Sequence, residues 1–269
     1  MILLKVLDLF AGTRSISKAF KRRGHQAFSI EWNKNFDNIT LYEDINNVTT
    51  EDIIELCDGI PDVIWASPDC TTYSIAAISH HRIKNYETGN LDPISEYAKF
   101  CDKTNKYVLQ LIKELKPKFY FIENPRGGLR KMNFMKDLPR YTITYCQYGD
   151  TRLKPTDIWT NYPNPNFKPM CKNGDKCHES APRGSKTGTQ GLKGSIERSK
   201  IPDELCNYIV KICERGLLKM EYDDIEILFN HINSVEDEID NIEDSRLYEY
   251  IVNCITNNEY CTMEDFEEF

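Results

Sequence analysis

The stretch KVLDLFAG, Lys5 to Gly12, decides the fold class of this 269-residue chain. Its first part, Lys5 to Phe10, is a mainly apolar run of strand length, which is typical of a buried strand. Gly12 follows at once, and a helical period covers Ser15 to Arg23. A strand, a glycine turn and a helix in this order predict the first unit of an α/β domain.

The following residues repeat this alternation of strand and helix. The pattern predicts strands at Gln26 to Trp32, Asp62 to Ala66, Lys118 to Glu123 and Tyr141 to Tyr148, and helices at Thr50 to Cys57 and, as one or two, within Asp92 to Leu115. Short apolar strands joined by helices imply a sheet that is covered on both faces. We therefore predict an α/β fold with a doubly wound, mostly parallel sheet.

Composition limits the class of protein. The chain is 40% hydrophobic and 28% charged, and no apolar run approaches the ~20 residues that a membrane helix needs. Its ten cysteines are scattered along a chain large enough to fold without disulfides, so we expect reduced thiols. The pattern shows no targeting segment. We expect a cytoplasmic monomer that has no membrane partner.

The charge is distributed unevenly. Residues 220–269 hold 16 acidic side chains and one basic side chain, whereas residues 1–219 hold 33 basic and 26 acidic side chains. The first part is therefore mildly basic although the whole chain has a formal net charge of −8. Lys168 to Lys200 is the most basic stretch and lacks an apolar period, which is typical of a loop that follows a nucleic-acid backbone or of a solvated surface loop.

Chemically distinctive residues follow the predicted strands. In a doubly wound sheet, ligands bind beyond the carboxyl ends of the strands. The residues at these positions are Phe10, Ala11, Gly12 and Thr13 after the first strand, Glu31 and Trp32 after the second, Pro68, Asp69 and Cys70 after the third, and Glu123 and Asn124 after the fourth. We expect them to share one edge of the sheet.

Three of these side chains suit an adenosine. A carboxylate at Glu31 could accept hydrogen bonds from both ribose hydroxyls, the Trp32 ring could stack on adenine, and Asp44 could accept from the adenine amino group. Arg14 occupies the next expected glycine position, so a dinucleotide-binding phosphate loop is not expected. An ordinary turn at Gly12 and a core role for Trp32 are the alternatives.

Cys70 has the position of a nucleophile. A thiol that follows a buried strand and Pro68 is held firmly and is partly exposed. Glu123, at the same edge, could protonate a substrate ring as the thiolate attacks. The charge of Asp69 would raise the pKa of the thiol unless its side chain is turned away or paired. Purely structural roles for Cys70 and Glu123 are the alternative.

Together, these motifs resemble those of the DNA cytosine-5 methyltransferases, especially the short forms found in phages. They are LDLFAG (Leu7 to Gly12), SPDCTTYS (Ser67 to Ser74), FIENP (Phe121 to Pro125) and QYGDTRLKPTDIWTN (Gln147 to Asn161), in the order of that family. ERSKIPDELCNYIV (Glu197 to Val210) is similar to the helical motif that completes its cofactor pocket. The resemblance implies a Rossmann-like catalytic domain over residues 1–162, completed by a helix at residues 201–219.

The resemblance also implies a reaction. S-adenosylmethionine would be the cofactor and double-stranded DNA the substrate, with Cys70 attacking carbon 6 of a flipped-out cytosine and Glu123 contacting ring nitrogen 3. Asn124 would orient the loop, and Arg152 would help to hold the base. The cofactor contacts that it implies come from Phe10, Ala11, Gly12, Thr13, Glu31, Trp32, Asp44, Ile45 and Pro68. A link to restriction-modification is a further expectation.

Residues 163–200 stand where long relatives have a target-recognition domain. So short a segment predicts a short or degenerate target sequence. The candidate DNA contacts are Lys154, Arg183, Lys186 and Lys193. Cys171, Cys177 and His178 suggest zinc, but the sequence shows no fourth ligand nearby, so we predict a loop without metal. Residues 220–269 have a helical period and predict an acidic helical tail, solvated or shielding the basic part of the chain.

Other functions are compatible with these motifs. An exocyclic-amine methyltransferase would have an aromatic residue where this chain has Cys70. The same thiol chemistry could act on tRNA or with a different one-carbon donor. A non-catalytic binding protein of this fold is the third alternative, and loss of Cys70 or Glu123 would indicate it. Both residues are present.

Overall fold

The computed structural model describes residues 3–179 and 194–235. The chain divides into two compact units, Met1–Leu217 and Leu218–Phe269, and of the second unit the structure describes only the last part of helix α6. In the ranges that are described, no helix has the length and apolar character needed to cross a membrane.

The first unit alternates strands and helices. Its strands are β1 (Lys5–Leu9), β2 (Gln26–Ile30), β3 (Val63–Ala66), β4 (Arg82–Lys84), β5 (Leu91–Pro93), β6 (Phe119–Pro125), β7 (Arg140–Thr144) and β8 (Pro155–Thr160). The helices are α1 (Ser15–Arg22), α2 (Thr50–Leu56), α3 (Ile78–His81), α4 (Glu96–Leu115), α5 (Ser195–Ser199) and α6 (Asp203–Val235). Short 3₁₀ turns lie at Ile45–Asn47, Thr71–Tyr73, Leu129–Lys131 and Tyr145–Tyr148.

Six strands form the central sheet in the order β2-β1-β3-β6-β8-β7. The first four are parallel to one another, and β8 is antiparallel to both β6 and β7. Strands β4 and β5 pair separately as an antiparallel ribbon. The predicted mostly parallel sheet is therefore confirmed.

Apolar side chains cover both faces of this sheet. Along β3, Val63 and Trp65 join one buried cluster and Ile64 and Ala66 join the other, as the alternation of side chains in a strand requires. The first cluster includes residues of α1 and α6, and the second includes residues of α2 and α4. A sheet with helices on each face is the doubly wound arrangement that the sequence predicts.

Several elements of the structure differ from the prediction. The strand expected at Tyr141 to Tyr148 ends at Thr144, and the rest is a 3₁₀ turn that ends at Gly149 with φ of 81°. The helical region expected from Asp92 is one helix that begins at Glu96, where the Ser95 side chain accepts a hydrogen bond from the Ala98 amide. The sequence pattern does not predict strands β4, β5 and β8.

A buried acidic residue explains why the sequence pattern does not predict β8. Asp157 interrupts the apolar run of PTDIWT, yet its side chain is fully buried. It forms an ion pair with Arg130 and accepts a hydrogen bond of 2.8 Å from the Thr142 hydroxyl. A buried charge is tolerated in this way when it is paired and hydrogen-bonded.

Candidate active site

The strand register brings the predicted site residues to one edge of the sheet. Leu9 of β1 pairs with Ile30 of β2 and with Ala66 of β3, and Ala66 pairs with Ile122 of β6. The residues that follow these four positions are Phe10, Glu31, Ser67 and Glu123. Because these parallel strands are in register, the loops that follow them start next to one another at one edge of the sheet.

The loop after β1 has an unusual backbone. Phe10, Gly12 and Arg14 all have positive φ angles, of 57°, 48° and 58°. Gly12 adopts this region at little cost, whereas a side chain at Arg14 disfavours it. The Gly12 amide donates a hydrogen bond of 3.1 Å to Glu31 Oε2, which fixes the loop against the end of β2.

The residues proposed to hold a cofactor differ in exposure. Trp32 is 68% exposed, so it is not a core residue, whereas Ala11, Ile45, Pro68 and Glu31 are buried. Glu31 Oε1 accepts a hydrogen bond of 2.9 Å from the Asn33 amide. Asp44 Oδ1 accepts hydrogen bonds from the amide and the side chain of Asn46.

Cys70 lies at the start of the 3₁₀ turn after β3 and is partly exposed. Burial of its sulfur, together with the nearby carboxylates of Glu123 and Asp69, raises the pKa of the thiol to about 11. The positive charge of Lys154 lowers the pKa of the thiol. Asp69 Oδ1 accepts a hydrogen bond of 2.6 Å from the Thr71 amide, and this bond does not remove its effect on the thiol.

Asn124 connects the ends of β3 and β6. Its Nδ2 donates a hydrogen bond of 2.9 Å to the Pro68 carbonyl, two residues before Cys70. The side chain is buried, and in the described part of the chain its Oδ1 has no hydrogen-bond partner. The loop that carries the thiol is thus held directly against the strand that carries Glu123.

Glu123 has partners that sequence reasoning did not identify. The Tyr145 hydroxyl donates a hydrogen bond of 2.8 Å to Glu123 Oε1, and Lys154 Nζ lies 3.9 Å from the same oxygen. Lys154 Nζ also lies 4.5 Å from the centre of the Tyr145 ring. Burial raises the pKa of Tyr145 well above its usual value, so the phenol stays a donor. These contacts place Lys154, a predicted DNA contact, beside the carboxylate.

Arg152 is a buried link between two motifs. Its guanidinium forms an ion pair with Asp150. The same group donates to the carbonyls of Glu197, Arg198 and Lys200 at distances of 3.4, 3.0 and 3.2 Å. Arg152 therefore fixes the segment before α6 against the loop between β7 and β8.

The segment after Cys70 is anchored by a buried network. Arg82 Nη2 lies 2.7 Å from Asp102 Oδ1, which also accepts a hydrogen bond of 2.7 Å from the Tyr73 hydroxyl. Arg82 Nε donates to the Thr72 carbonyl at 3.0 Å. Gly127 packs directly against the Tyr73 backbone, since a Cβ added at residue 127 would lie 2.5 Å from the Tyr73 carbonyl oxygen. Both ends of residues 72–82 are therefore fixed to the body of the protein.

A cleft of about 670 Å³ lies beside the loop after β1. Thr13 and Lys18 line one part of it, and Gly149, Arg152 and Pro202 line another. The Glu197 to Val210 motif thus meets the loop after β1 across an open space, although Cys70 does not line this cleft.

The structure also brings together the three residues for which the sequence suggested zinc. Cys171, Cys177 and His178 lie in one cluster, and Cys146 of the 3₁₀ turn after β7 joins them. The sequence offered no signal for Cys146, which is 25 residues before Cys171. The predicted contacts Arg183, Lys186 and Lys193 lie outside the described residues, as does the tail from residue 236 on.

Comparison with known proteins identifies the family. The profile of the C-5 cytosine-specific DNA methylases matches residues 4–144, which is more than half of the chain. A probable DNA (cytosine-5)-methyltransferase of Frog virus 3 (isolate Goorha) is 25% identical over 230 residues, which is 78% of this chain and 100% of that protein.

Two solved structures are similar over part of their length. A putative DNA modification methyltransferase encoded within an E. coli prophage is 18% identical and has a TM-score of 0.44, over 58% of this chain and 46% of that one. The Dnmt2 methyltransferase of S. pombe is 15% identical and has a TM-score of 0.39, over 59% and 49%. The chain thus matches about half of each solved protein. On the profile match, this chain belongs to the C-5 cytosine-specific DNA methylase family.

Proposed function

We propose that this protein transfers a methyl group from S-adenosylmethionine to carbon 5 of cytosine in double-stranded DNA. The observation that carries the proposal is the pairing of Cys70 with Glu123 at adjacent strand ends. The Asn124 to Pro68 hydrogen bond connects their two loops, and the Glu123 carboxylate is close enough to raise the pKa of the Cys70 thiol. A thiol nucleophile beside an acid suits addition to a pyrimidine ring.

Each protein group then has a defined task. The Cys70 sulfur adds to carbon 6 of the cytosine while Glu123 holds a proton at ring nitrogen 3, which makes carbon 5 nucleophilic. After carbon 5 has gained the methyl group it gives its proton to a water molecule, the double bond between carbons 5 and 6 reforms, and the Cys70 sulfur leaves carbon 6 as the thiolate. The Tyr145 hydroxyl and Lys154 occupy Glu123 Oε1, which leaves Oε2 to face the base.

The Cys70 thiol must lose its proton before or during attack. With a pKa of about 11 it is protonated in the free protein at neutral pH. Lys154 is the nearby cation that favours the thiolate. Because the thiolate is the reactive form, binding of the base has to make deprotonation easier than it is in the free protein.

The residues beyond β1 and β2 fit S-adenosylmethionine. Each Glu31 oxygen accepts one backbone hydrogen bond and keeps a second lone pair for a ribose hydroxyl. The exposed Trp32 ring offers a face for adenine, and Gly12 allows close approach of the ligand. When bound, the cofactor supplies an electrophilic methyl group on a positively charged sulfur. Phe10, Ala11, Thr13, Asp44, Ile45 and Pro68 complete the proposed site.

Access to carbon 6 requires that the target cytosine leave the base stack, because Glu123 is buried and cannot reach into a duplex. Arg152 acts here as a positioning residue through its contacts with Asp150 and with residues 197–200. Lys154, Arg183, Lys186 and Lys193 remain predicted contacts to DNA. The short segment at residues 163–200 supports a short or degenerate target sequence.

The test is incubation of the full chain with labelled S-adenosylmethionine and duplex DNA, followed by mass spectrometry of the nucleosides. We expect 5-methylcytosine from the wild type and none from Cys70→Ala. N4-methylcytosine or N6-methyladenine would overturn the thiol mechanism. Activity on tRNA alone, or no product with any nucleic acid, would overturn the proposed substrate or the proposed catalysis.

A further inference from the structure

Four metal-ligating side chains meet in a cluster outside the proposed active site. Cys146 comes from the 3₁₀ turn after β7, and Cys171, Cys177 and His178 come from the segment after β8. Their sulfur and nitrogen atoms all lie within 4.8 Å of one another. The cluster is composed of two elements that are distant in sequence, and the fold brings them together.

The distances suit a tetrahedral ion. Zinc binds sulfur at about 2.3 Å and imidazole nitrogen at about 2.0–2.1 Å, so the edges of a tetrahedral site measure roughly 3.6–3.8 Å. Cys146 Sγ lies 3.7 Å from Cys177 Sγ. His178 Nδ1 lies 3.6 Å from Cys177 Sγ and 3.8 Å from Cys171 Sγ. Three of the six edges therefore already have about the expected length.

The edge between Cys146 and Cys171 is shorter. Cys146 Sγ lies 2.9 Å from Cys171 Sγ, which is well beyond the ~2.0 Å of a disulfide, and both cysteines are free thiols. To bind a central ion, these two sulfurs would have to move apart by less than about one ångström. Three thiols and an imidazole have only weak hydrogen bonds to offer one another, whereas as thiolates and neutral imidazole they satisfy a zinc ion.

We propose that Cys146, Cys171, Cys177 and His178 bind one zinc ion as a structural Cys₃His site. His178 would bind through Nδ1, which places its ring proton on Nε2. All four tetrahedral positions are filled by protein, so no open position remains for catalysis. This inference goes beyond the proposed methyl transfer and does not depend on it. It replaces the metal-free loop that the sequence predicts.

The ion would stabilise the region that supports Glu123. Cys146 directly follows Tyr145, whose hydroxyl donates to the Glu123 carboxylate. On the other side, the Glu179 amide, next to His178, donates a hydrogen bond of 2.9 Å to the Thr151 carbonyl, and Thr151 directly precedes Arg152. Zinc would therefore connect the start of the basic stretch Lys168 to Lys200 to the 3₁₀ turn that contains Tyr145.

The experiment measures metal in the full chain. Elemental analysis of the purified wild type is expected to give about one zinc per chain. Cys177 is exposed, so Cys177→Ser is the variant least expected to disturb folding. We expect this variant to hold less than about a tenth of the wild-type zinc, because loss of one ligand weakens a four-ligand site strongly. His178→Asn is the second variant, and circular dichroism checks that both are folded.

Cys70→Ser is the matched control, because it removes a thiol that lies outside the cluster. It is expected to keep its zinc and to lose methyl transfer, so failure of the two proposals can be told apart. Cobalt added to metal-free protein is expected to give tetrahedral bands with thiolate charge transfer, weakened in Cys177→Ser. Folded wild type that neither contains zinc nor takes up zinc or cobalt would overturn the site, as would a Cys146–Cys171 disulfide in the protein purified under reducing conditions.

Discussion

At the scale of single residues, the reactivity of Cys70 depends on the charges beside it. Burial is the largest cause of its raised pKa, followed by Glu123 and then Asp69. Replacement of Asp69 by Asn removes one negative charge and keeps an oxygen acceptor for the Thr71 amide. The pKa of the thiol should therefore fall, because the thiolate is then less disfavoured.

We predict that Asp69→Asn speeds alkylation of Cys70 by iodoacetamide about two- to threefold at pH 8, because a larger fraction is thiolate. Lys154→Met should have the opposite effect, since that cation lowers the pKa. The measurement is the rate of Cys70 modification, followed by peptide mass spectrometry from pH 7 to pH 10. Equal rates in the wild type and both variants would contradict the electrostatic explanation.

Tyr145 is predicted to position Glu123. Tyr145→Phe removes the hydroxyl that donates to Glu123 Oε1 and keeps the buried ring. Loss of a hydrogen bond to a charged group costs about 1.5–3 kcal/mol, so kcat should fall roughly 10- to 100-fold. The KM for DNA should stay within about twofold, because the hydroxyl does not contact DNA. A matched fall in thermal stability with unchanged kcat would indicate a purely structural role.

At the scale of elements, β1 and α1 are joined by a buried carboxyl group. Asp8 Oδ2 accepts hydrogen bonds of 3.1 Å from the Ser17 amide and 2.7 Å from its hydroxyl, in the first turn of α1. Burial nevertheless raises the pKa of Asp8 to about 7. The folded state therefore binds this proton more tightly than the unfolded state, whose pKa is near 3.8.

The contribution of the protonated Asp8 to stability is fully present below about pH 4 and is lost as pH rises through 7. Asp8→Asn cannot titrate, so its free energy of unfolding relative to the wild type should rise by about 4 kcal/mol between pH 4 and pH 8. Urea unfolding at these two pH values measures the difference. Asp37→Asn, at an exposed position, is the control and should show no such change. A pH-independent difference for Asp8→Asn would be the contrary result.

The elements that the sequence predicts well are those that bury mainly apolar side chains. Strands β1, β2, β3 and β6 are mainly apolar, and their ends could be aligned from the pattern alone. Strand β8 could not be predicted, because its Asp157 is paired with Arg130 of a distant turn. Cys70, Glu123 and Asn124 were found because they follow these simple strands.

The supporting residues of the site could not be found in this way. The sequence pattern predicts that Tyr145 lies in a strand, whereas its contact with Glu123 depends on the 3₁₀ turn that replaces the end of that strand. Cys146 joins Cys171 and Cys177 only because β7 and the segment after β8 meet in the fold. Such pairs are set by tertiary packing, which leaves no local period in the sequence.

At the scale of the whole molecule, charge is separated along the chain. Residues 236–269 contain 12 acidic side chains and one basic side chain, whereas residues 1–219 are net positive. Removal of residues 236–269 should therefore tighten DNA binding about two- to tenfold near 50 mM salt, because a source of repulsion for phosphate is lost. Fluorescence anisotropy with labelled duplex DNA measures this.

Salt is the control for that prediction. The difference between the full and shortened chains should disappear at several hundred millimolar salt, where the Debye length is only about 4–5 Å. A full-length variant with the 12 acidic residues changed to amides should behave like the shortened chain. Unchanged affinity in both variants at low salt would show that this segment has no electrostatic effect on binding.

The most direct test of the central claim is a covalent trap. DNA with 5-fluorocytosine at the target position has no carbon 5 proton to lose, so the thiol added at carbon 6 cannot leave after methyl transfer. With S-adenosylmethionine present, we predict a stable protein–DNA adduct whose cross-linked peptide maps to Cys70, and none with Cys70→Ala. An adduct on another residue, or methylation of this DNA without any adduct, would contradict attack by Cys70.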